Sequence, residues 1–276
     1  MSKVQVAVII VFTALFLGLY FLVPNKPREQ KDIDRQRAIS AVSITPEKLL
    51  NSAQVTTPPA ELDSIMQLET QLDSATIEQQ IELLKKISSR WNLVGNFPLG
   101  GIYAEEVATL SNSDTAWSIA GSTFFSGFRF ARDTSIGNYC LRKAINAFES
   151  AISINPDDTR HRVNLGLCYV EGGKAPMKGI LMIRDLLQKY PNDVLVLYTL
   201  GRLSIQSGQY DKAVERLEQV VSIDDTNLNA HYLLAESYRE MRNTPKAIEH
   251  YQISLNLSDD EGLNRQIENN LTELKK

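Results

Sequence analysis

The chain has 276 residues, of which 43% are hydrophobic and 22% are charged, proportions typical of a folded soluble domain. Its formal net charge is −4, so the sequence has no basic footprint and we expect no nucleic-acid partner. The two cysteines, Cys140 and Cys168, match no zinc or redox spacing, and both a pair of buried free thiols and a disulfide agree with their positions.

The N-terminus is a long apolar run. From Val6 to Val23 the chain has no charged residue, and with Val4 and Gln5 the run reaches 20 residues. At 1.5 Å per residue this gives roughly 30 Å, the thickness of the hydrocarbon core of a bilayer. No small-x-small cleavage site follows, which disfavours a removed signal peptide. We therefore predict a single-pass transmembrane anchor at residues 1–23, with residues 4–23 in contact with lipid.

The charges that flank this run bear on its orientation. Only Lys3 precedes it, whereas five basic residues follow it closely: Lys26, Arg28, Lys31, Arg35 and Arg37. The positive-inside rule therefore favours a cytoplasmic position for the rest of the chain, in a bacterial plasma (inner) membrane. A short tail with one lysine is also typical of a signal anchor, so a periplasmic position is the alternative.

A flexible linker is predicted at residues 24–60. This segment holds five of the ten prolines, and charged or small polar residues fill the intervals. Within it, "TPEKLLNSA" predicts one or two turns of helix, with Thr45 as the cap and Pro46 at the first helical position.

Small residues recur at a fixed interval through the rest of the chain. Gly166, Gly201 and Ala235 each follow a leucine and lie 35 and 34 residues apart. A second set, spaced by 34 residues, comprises Gly179, Ala213 and Ala247. Upstream, Gly121 and Ala144 hold equivalent places. This period, with patterns such as Leu165-Gly166-x2-Tyr169, resembles the tetratricopeptide repeat.

The resemblance implies an all-α fold in which paired antiparallel helices stack into a superhelix. It covers about five repeats at residues 81–261, within a helical domain at 61–276. The small residues would let paired helices cross closely, and Gly208 would end a first helix. Thr76 and Gln79 form a capping-box pattern. An apolar stripe at 260–276 predicts a C-terminal capping helix.

One repeat is longer than the others. Gly121 and Ala144 are 23 residues apart, where 12 is usual, so about eleven extra residues around 125–137 lengthen this hairpin or form a protruding loop. Its aromatic residues, Phe125, Phe128 and Phe130, pack on neighbouring repeats or form a docking patch.

Catalytic patterns are sparse. The histidines, His161, His231 and His250, form no metal-binding motif, and no nucleophile is paired with a base. We expect no enzymatic activity, metal, cofactor or small-molecule substrate. The resemblance instead implies that the concave face, lined by the first helices, binds a protein or peptide. The candidate contact residues on that face are Asn164, Leu167, Tyr198, Arg202, Tyr232 and Arg239.

These inferences predict a membrane-anchored scaffold or adaptor. Two alternatives stay open at this point. One is a homo-oligomeric structural membrane protein that uses its groove or end caps against itself, and the other is an accessory subunit of an enzyme complex.

Overall fold

The computed structural model describes residues 44–173 and 175–275, which are helical apart from turns and short connections. The helices belong to one unit that begins at Pro46. In chain order they are α1 (Pro46–Thr56), α2 (Pro59–Glu69), α3 (Ile77–Leu93), α4 (Phe97–Ser111), α5 (Asp114–Phe130), α6 (Thr134–Ile154), α7 (Thr159–Glu171), α8 (Pro176–Lys189), α9 (Val194–Gln206), α10 (Tyr210–Ile223), α11 (Leu228–Glu240), α12 (Thr244–Leu257) and α13 (Glu261–Leu274). A 3-10 turn at Leu72–Ser74 precedes α3.

Helices α3 to α12 form five consecutive hairpins, on which the repeats predicted for 81–261 fall. The two helices of each hairpin pack together, and the first helices α5, α7, α9 and α11 also contact one another in sequence. Polar caps set where several first helices begin: Ser113, Asp158, Asp193 and Asn227 each accept a bond from a backbone N–H of the first turn. The all-α repeat architecture is therefore confirmed.

Small residues sit where the helices of a hairpin cross. A Cβ atom on Gly201 would lie 2.9 Å from Cγ of Leu217, and one on Gly121 would lie 2.8 Å from the Phe148 ring. The four alanines at corresponding places are fully buried: Ala144, Ala213, Ala235 and Ala247. Large side chains from the partner helix fill the space that these positions leave, which is how close packing is reached.

The closest approach is between α7 and α8. A Cβ atom on Gly179 would overlap the carbonyl oxygen of Gly166 and lie 2.8 Å from Cγ2 of Val170. One on Gly166 would lie 2.7 Å from Cγ1 of Ile183. Backbone therefore meets backbone at this crossing, and neither helix has room for a methyl group.

Two local predictions are confirmed. Thr76 and Gln79 form both bonds of a capping box at the start of α3. Gly208 lies just beyond α9 with φ +71°, a left-handed conformation that glycine adopts without strain.

The linker prediction is wrong for residues 46–60. Pro46 does begin a helix, but α1 runs for 11 residues and buries Leu49 and Ala53, one helical turn apart. Helix α2 then begins at Pro59 and buries Ile65. The prolines in this segment start helices, where a missing N–H costs nothing, and the folded unit thus begins well before residue 61.

The extra residues around 125–137 extend both helices of the second hairpin. Only residues 131–133 connect α5 to α6, so there is no protruding loop and the lengthened-hairpin alternative is correct. Phe125 is buried, whereas Phe130 is 71% exposed and stacks on Phe97 with ring centroids 5.4 Å apart. Arg129 lies over the Phe125 ring and binds Glu171 through two hydrogen bonds of 2.7 and 2.5 Å, which joins the ends of α5 and α7.

The C-terminal helix covers the last hairpin. Helix α13 buries Ile267 and Leu271 against Ala235 and Tyr251, as predicted for a capping helix. None of the helices within residues 44–173 and 175–275 has the length and apolar character needed to span a bilayer. The predicted anchor at residues 1–23 and the first part of the linker lie outside the described residues.

Gly179→Ala should lower the free energy of unfolding by about 1–3 kcal/mol, because the new methyl group overpacks the α7–α8 crossing. Gly137→Ala is the matched control: Gly137 is also inside a helix, but its nearest neighbour would be Cβ of Ala131 at an ordinary 3.4 Å. Without a clash, alanine should be neutral or stabilising there. Thermal denaturation of the full-length protein in detergent, followed by circular dichroism, measures both. Equal midpoints for the two variants would contradict this account of the crossing.

Candidate functional site: a cleft between first helices

A cleft of about 540 Å³ opens between the first helices of the repeats. Its floor and walls come from α5 and α7, with contributions from α3, the start of α4 and α9. This volume lies within the range of typical ligand pockets. We call it the first-helix cleft, and the side chains lining it are Asn92, Phe97, Thr115, Ser118, Ile119, Ser122, Thr123, Ser126, Arg160, His161, Asn164 and Leu195.

A second cleft of about 450 Å³ adjoins the first between α3 and α5. The two share Asn92, Thr115 and Ile119 as lining residues. Ile119 is 57% exposed although it is a large aliphatic residue. It thus offers an apolar contact at the boundary of the two clefts, and the two clefts together are lined by residues of four hairpins.

Hydroxyl groups dominate the α5 wall of the first-helix cleft. Ser118, Ser122 and Ser126 are spaced by four residues and therefore share one face of α5. Ser126 donates to the carbonyl of Ser122 at 3.1 Å, and Thr123 donates to the carbonyl of Ile119 at 2.9 Å. The oxygen of each of these two hydroxyls keeps lone pairs that can accept a further bond.

His161 is fixed at the α7 wall of the cleft. Its side chain is 2% exposed, and its Nε2 lies 3.2 Å from Oδ2 of Asp114 and 3.7 Å from Oδ2 of Asp158. Asp158 caps α7 and also binds the Arg160 guanidinium at 2.5 Å. Asp114 begins α5, so this cluster ties the start of one first helix to the start of the next.

The same contacts act on the acidity of Asp114. The Asn155 side-chain amide donates to its Oδ2 at 2.9 Å, and His161 adds a second hydrogen bond. These bonds stabilise the ionised carboxylate and lower the pKa of Asp114 to about 2. Asp114 is therefore an acceptor at neutral pH, and His161 must donate to it from Nε2.

Asp114, Asp158 and His161 also form the one group of three or more potential metal ligands found within the described residues. Their ligand atoms lie within 4.8 Å of one another. In this arrangement, however, Asn155 and Arg160 already bind the two carboxylates. A cation would have to compete with the Arg160 guanidinium for the Asp158 carboxylate. The cluster is therefore a hydrogen-bonded junction between two hairpins.

The structure brings only part of the predicted contact set to this cleft. Asn164 lines it, as the phasing of α7 implied. Leu167 is 8% exposed and does not line the cleft. For Leu167 the prediction of a contact residue is therefore wrong.

The other four predicted residues lie further along the chain, outside the first-helix cleft. Tyr198 and Arg202 on α9 are half-buried. On α11, Tyr232 accepts a hydrogen bond from Gln266 of the capping helix at 2.8 Å, and Arg239 pairs with Glu236 at 2.8 Å. The capping helix thus occupies part of the surface that these residues would offer, which sequence phasing did not reveal.

The remaining reactive groups are buried or paired. Cys140 and Cys168 are both free and buried, so the disulfide alternative is not realised. Burial raises the pKa of the Cys140 thiol to about 12 and raises that of Cys168 as well, so both are thiols at neutral pH. Nδ1 of His231 lies 3.0 Å from Nδ1 of His250, which links α11 to α12 inside the fifth hairpin.

Sequence reasoning missed His161 and the hydroxyl face of α5 as parts of a site. The signal for the hydroxyl face was present, since Ser118, Ser122 and Ser126 recur at helical spacing in the predicted first helix that begins near Trp117. No comparable signal marked His161, because its contact with Asp114 joins two residues that are 47 positions apart in the sequence.

The tetratricopeptide repeat family model matches residues 204–260. This segment runs from the end of α9 through α12, so the match covers the C-terminal hairpins, beyond the first-helix cleft. The match supports the repeat architecture that the helical hairpins show.

Two curated proteins of Schizosaccharomyces pombe are similar to part of the chain. Superkiller protein 3 is 30% identical over 98 residues, which is 36% of this chain and 7% of that protein. Anaphase-promoting complex subunit 3 is 27% identical over 110 residues, 40% of this chain and 16% of that protein. The chain therefore spans less than a fifth of either relative.

Among solved structures, MamA from Desulfovibrio magneticus RS-1 is 17% identical, with a TM-score of 0.45 over 66% of this chain and 98% of that one.

Asp114→Asn should remove part of the pH dependence of stability. A carboxyl whose folded pKa is lowered to about 2 stabilises the fold above its unfolded pKa of about 3.9, and this contribution is lost as the pH falls from about 4 to about 2. Urea unfolding of both proteins across this range measures the effect. A wild-type curve that falls no more steeply than the variant's would contradict the described network.

Proposed function

We propose that this protein is a membrane-anchored adaptor that binds a protein partner through the first-helix cleft on the concave face of its repeats. The observation that carries the proposal is an open cleft lined by side chains of four first helices, in which three hydroxyl groups have no hydrogen-bond partner among the described residues. In this proposal the protein acts by binding, and a bound segment would cross from one hairpin to the next.

The chemistry of the lining supports recognition of a polypeptide. The hydroxyls of Thr115, Ser118 and Ser122 have no hydrogen-bond partner among the described residues, so they are available to a ligand. Ile119 and Leu195 supply apolar contacts beside them, and they are 57% and 38% exposed. Hydroxyl groups that can both donate and accept, beside a few apolar contacts, suit the backbone N–H and C=O groups of an extended chain.

The membrane anchor is supported by the sequence of the first 23 residues alone. The apolar run from Val6 to Val23 has the length of a spanning helix, and the basic residues after it favour a cytoplasmic repeat domain. We propose this topology in a bacterial plasma membrane, where the anchor would concentrate the bound partner at the bilayer.

Ser122→Arg should abolish partner capture, because Ser122 is exposed in the middle of the α5 wall and a long charged side chain there would fill the cleft. Ser153→Arg is the matched control, since Ser153 is also an exposed helical serine but lies on α6, outside the cleft. Crosslinked capture by full-length protein in detergent compares the two variants with wild type. Identical partner recovery by both variants would remove the cleft assignment.

Protease accessibility tests the proposed topology. In intact spheroplasts, external trypsin should leave the repeat domain uncut, and the same domain should be cleaved once the membrane is opened with detergent. Digestion before detergent is added would place the repeats on the outer side of the membrane.

A further inference from the structure

The turns inside the five hairpins lie along one edge of the repeats, because the hairpins pack side by side. Neighbouring turns are in contact: Phe130 at the end of α5 stacks on Phe97 at the start of α4, and Arg129 binds Glu171 at the end of α7. We call this surface the turn edge. Its described residues are 90–100, 127–137, 168–173, 175–179, 203–213 and 237–247.

Large apolar side chains are exposed at four of the five turns. Leu93, Phe130, Met177 and Met241 are 82%, 71%, 62% and 46% exposed. Each lies at the end of a first helix, at the start of a second helix or in the connection between them. A series of large apolar side chains along one surface is typical of a site that contacts a membrane or another protein.

Unpaired basic residues accompany these apolar side chains. Arg132, Lys178, Lys212 and Arg242 are exposed, and none forms an ion pair with any described residue. Three of them follow an exposed apolar residue of the same turn by one or two positions. The turn edge therefore combines apolar side chains with free positive charge.

Most carboxylates of the turn edge are already bound within the protein. Glu171 and Glu240 each lie within 4 Å of an arginine. Asp133 accepts two backbone N–H groups at the start of α6. Within the described part of this edge, Asp211 is the one carboxylate that has no such partner. Positive charge therefore predominates on the surface that the turns present.

The opposite edge, where one hairpin passes to the next, is acidic. Each of these connections from α4 to α13 has at least one aspartate at or beside it, and Asp225, Asp259 and Glu261 are exposed without an ion pair to any described residue. Ile154 and Ile223 are also exposed there, at 40% and 48%, so charge is what distinguishes the two edges.

The two edges act separately on a charged surface. Helix α7 has 13 residues and is therefore roughly 20 Å long, about twice the Debye length at physiological ionic strength. An anionic surface beside the turn edge is therefore affected mainly by the basic residues of that edge. The same surface beside the opposite edge would be repelled by unpaired carboxylates.

We propose that the turn edge lies against the anionic surface of the bilayer that holds the N-terminal anchor. Phe130, Met177 and the other exposed apolar side chains enter the interfacial region, and the unpaired basic residues neutralise lipid phosphates. The starts of α5 and α7, which contribute Thr115 and Arg160 to the first-helix cleft, point away from the lipid. A partner reaches them from the aqueous side.

This inference rests on the anchor of the proposed function and adds the orientation of the repeats. The sequence places 22 residues, 24–45, between the predicted anchor and α1. A chain of that length extends to at most roughly 70 Å, which is enough for the turn edge to reach the bilayer. Because the anchor keeps the bilayer at a high local concentration, individually weak contacts suffice for binding.

Two labels on one helix test the orientation. Thr134 begins α6 at the turn edge, and Ser153 lies in the last turn of α6, roughly 30 Å away; both are exposed. Thr134→Cys and Ser153→Cys each receive a fluorophore, with which the buried Cys140 and Cys168 do not react. Each full-length variant is reconstituted in phosphatidylcholine vesicles with about 30% phosphatidylglycerol and a lipid-borne quencher.

We expect quenching at residue 134 to be about threefold stronger than at residue 153. Lys178→Glu combined with Lys212→Glu should at least halve the quenching at residue 134, because anionic lipid then meets acidic side chains. Arg184→Glu combined with Lys189→Glu is the matched control. It changes the net charge equally, but both residues are exposed on α8 outside the turn edge, so quenching should stay at the wild-type value.

Flotation of the vesicles after carbonate treatment reports the anchor separately. Protein that floats with equal quenching at residues 134 and 153 would overturn the inference while the anchor stands. Equal effects of the two double substitutions would also overturn it. Emission at residue 134 that changes with protein concentration in detergent would assign the turn edge to a second copy of the chain instead. Protein that does not float would overturn the anchor, and the inference with it.

Discussion

Direct contact between helix backbones, at positions without a side chain, is the constraint on which the rest of this structure depends. Where Gly179 meets Gly166, a Cβ atom on either glycine would clash with the opposite helix of the third hairpin. The same crossing is filled in the second and fourth hairpins by Phe148 over Gly121 and Leu217 over Gly201. The two helices of each of these hairpins therefore pack closely, and the successive first helices contact one another beside the cleft.

Hydrogen bonds between polar side chains join each hairpin to the next. Asp114 receives hydrogen bonds from Asn155 and His161, and Thr159 donates to Asp193 at 2.6 Å. These bonds connect the starts of consecutive first helices, where backbone N–H groups and helix dipoles favour carboxylates. They set the spacing of α5, α7 and α9 and also fix the orientation of the histidine that borders the cleft.

The sequence predicts the repeats well because their cause is local and periodic. Gly201 and Ala213 are small, and small residues recur at the same two places one period later. This pattern predicts pairs of helices that cross closely at those residues. The structure of residues 46–60 is harder to predict from the sequence, because prolines occur both in linkers and at the starts of helices. Only the burial of Leu49 and Ala53 shows that this segment is helical and packed.

The candidate site was less predictable, because it depends on contacts between distant parts of the chain. The phasing of α7 predicts both Asn164 and Leu167 as contact residues; Asn164 lines the cleft, whereas Leu167 is buried. Tyr232 was a reasonable choice by residue type, yet the capping helix binds it through Gln266. His161 owes its position to carboxylates 47 and 3 residues away, a relation that no periodic pattern reports.

Amide hydrogen exchange of the full-length protein, free and bound to its captured partner, tests most directly whether the surface between the first helices is where binding occurs. Side chains of α5 and α7 line the cleft, and the start of α9 borders it. Binding there should therefore slow exchange in residues 114–130 and 159–171 and leave α10 and α12 unchanged. Slowed exchange confined to α10, α12 or the capping helix would contradict the account.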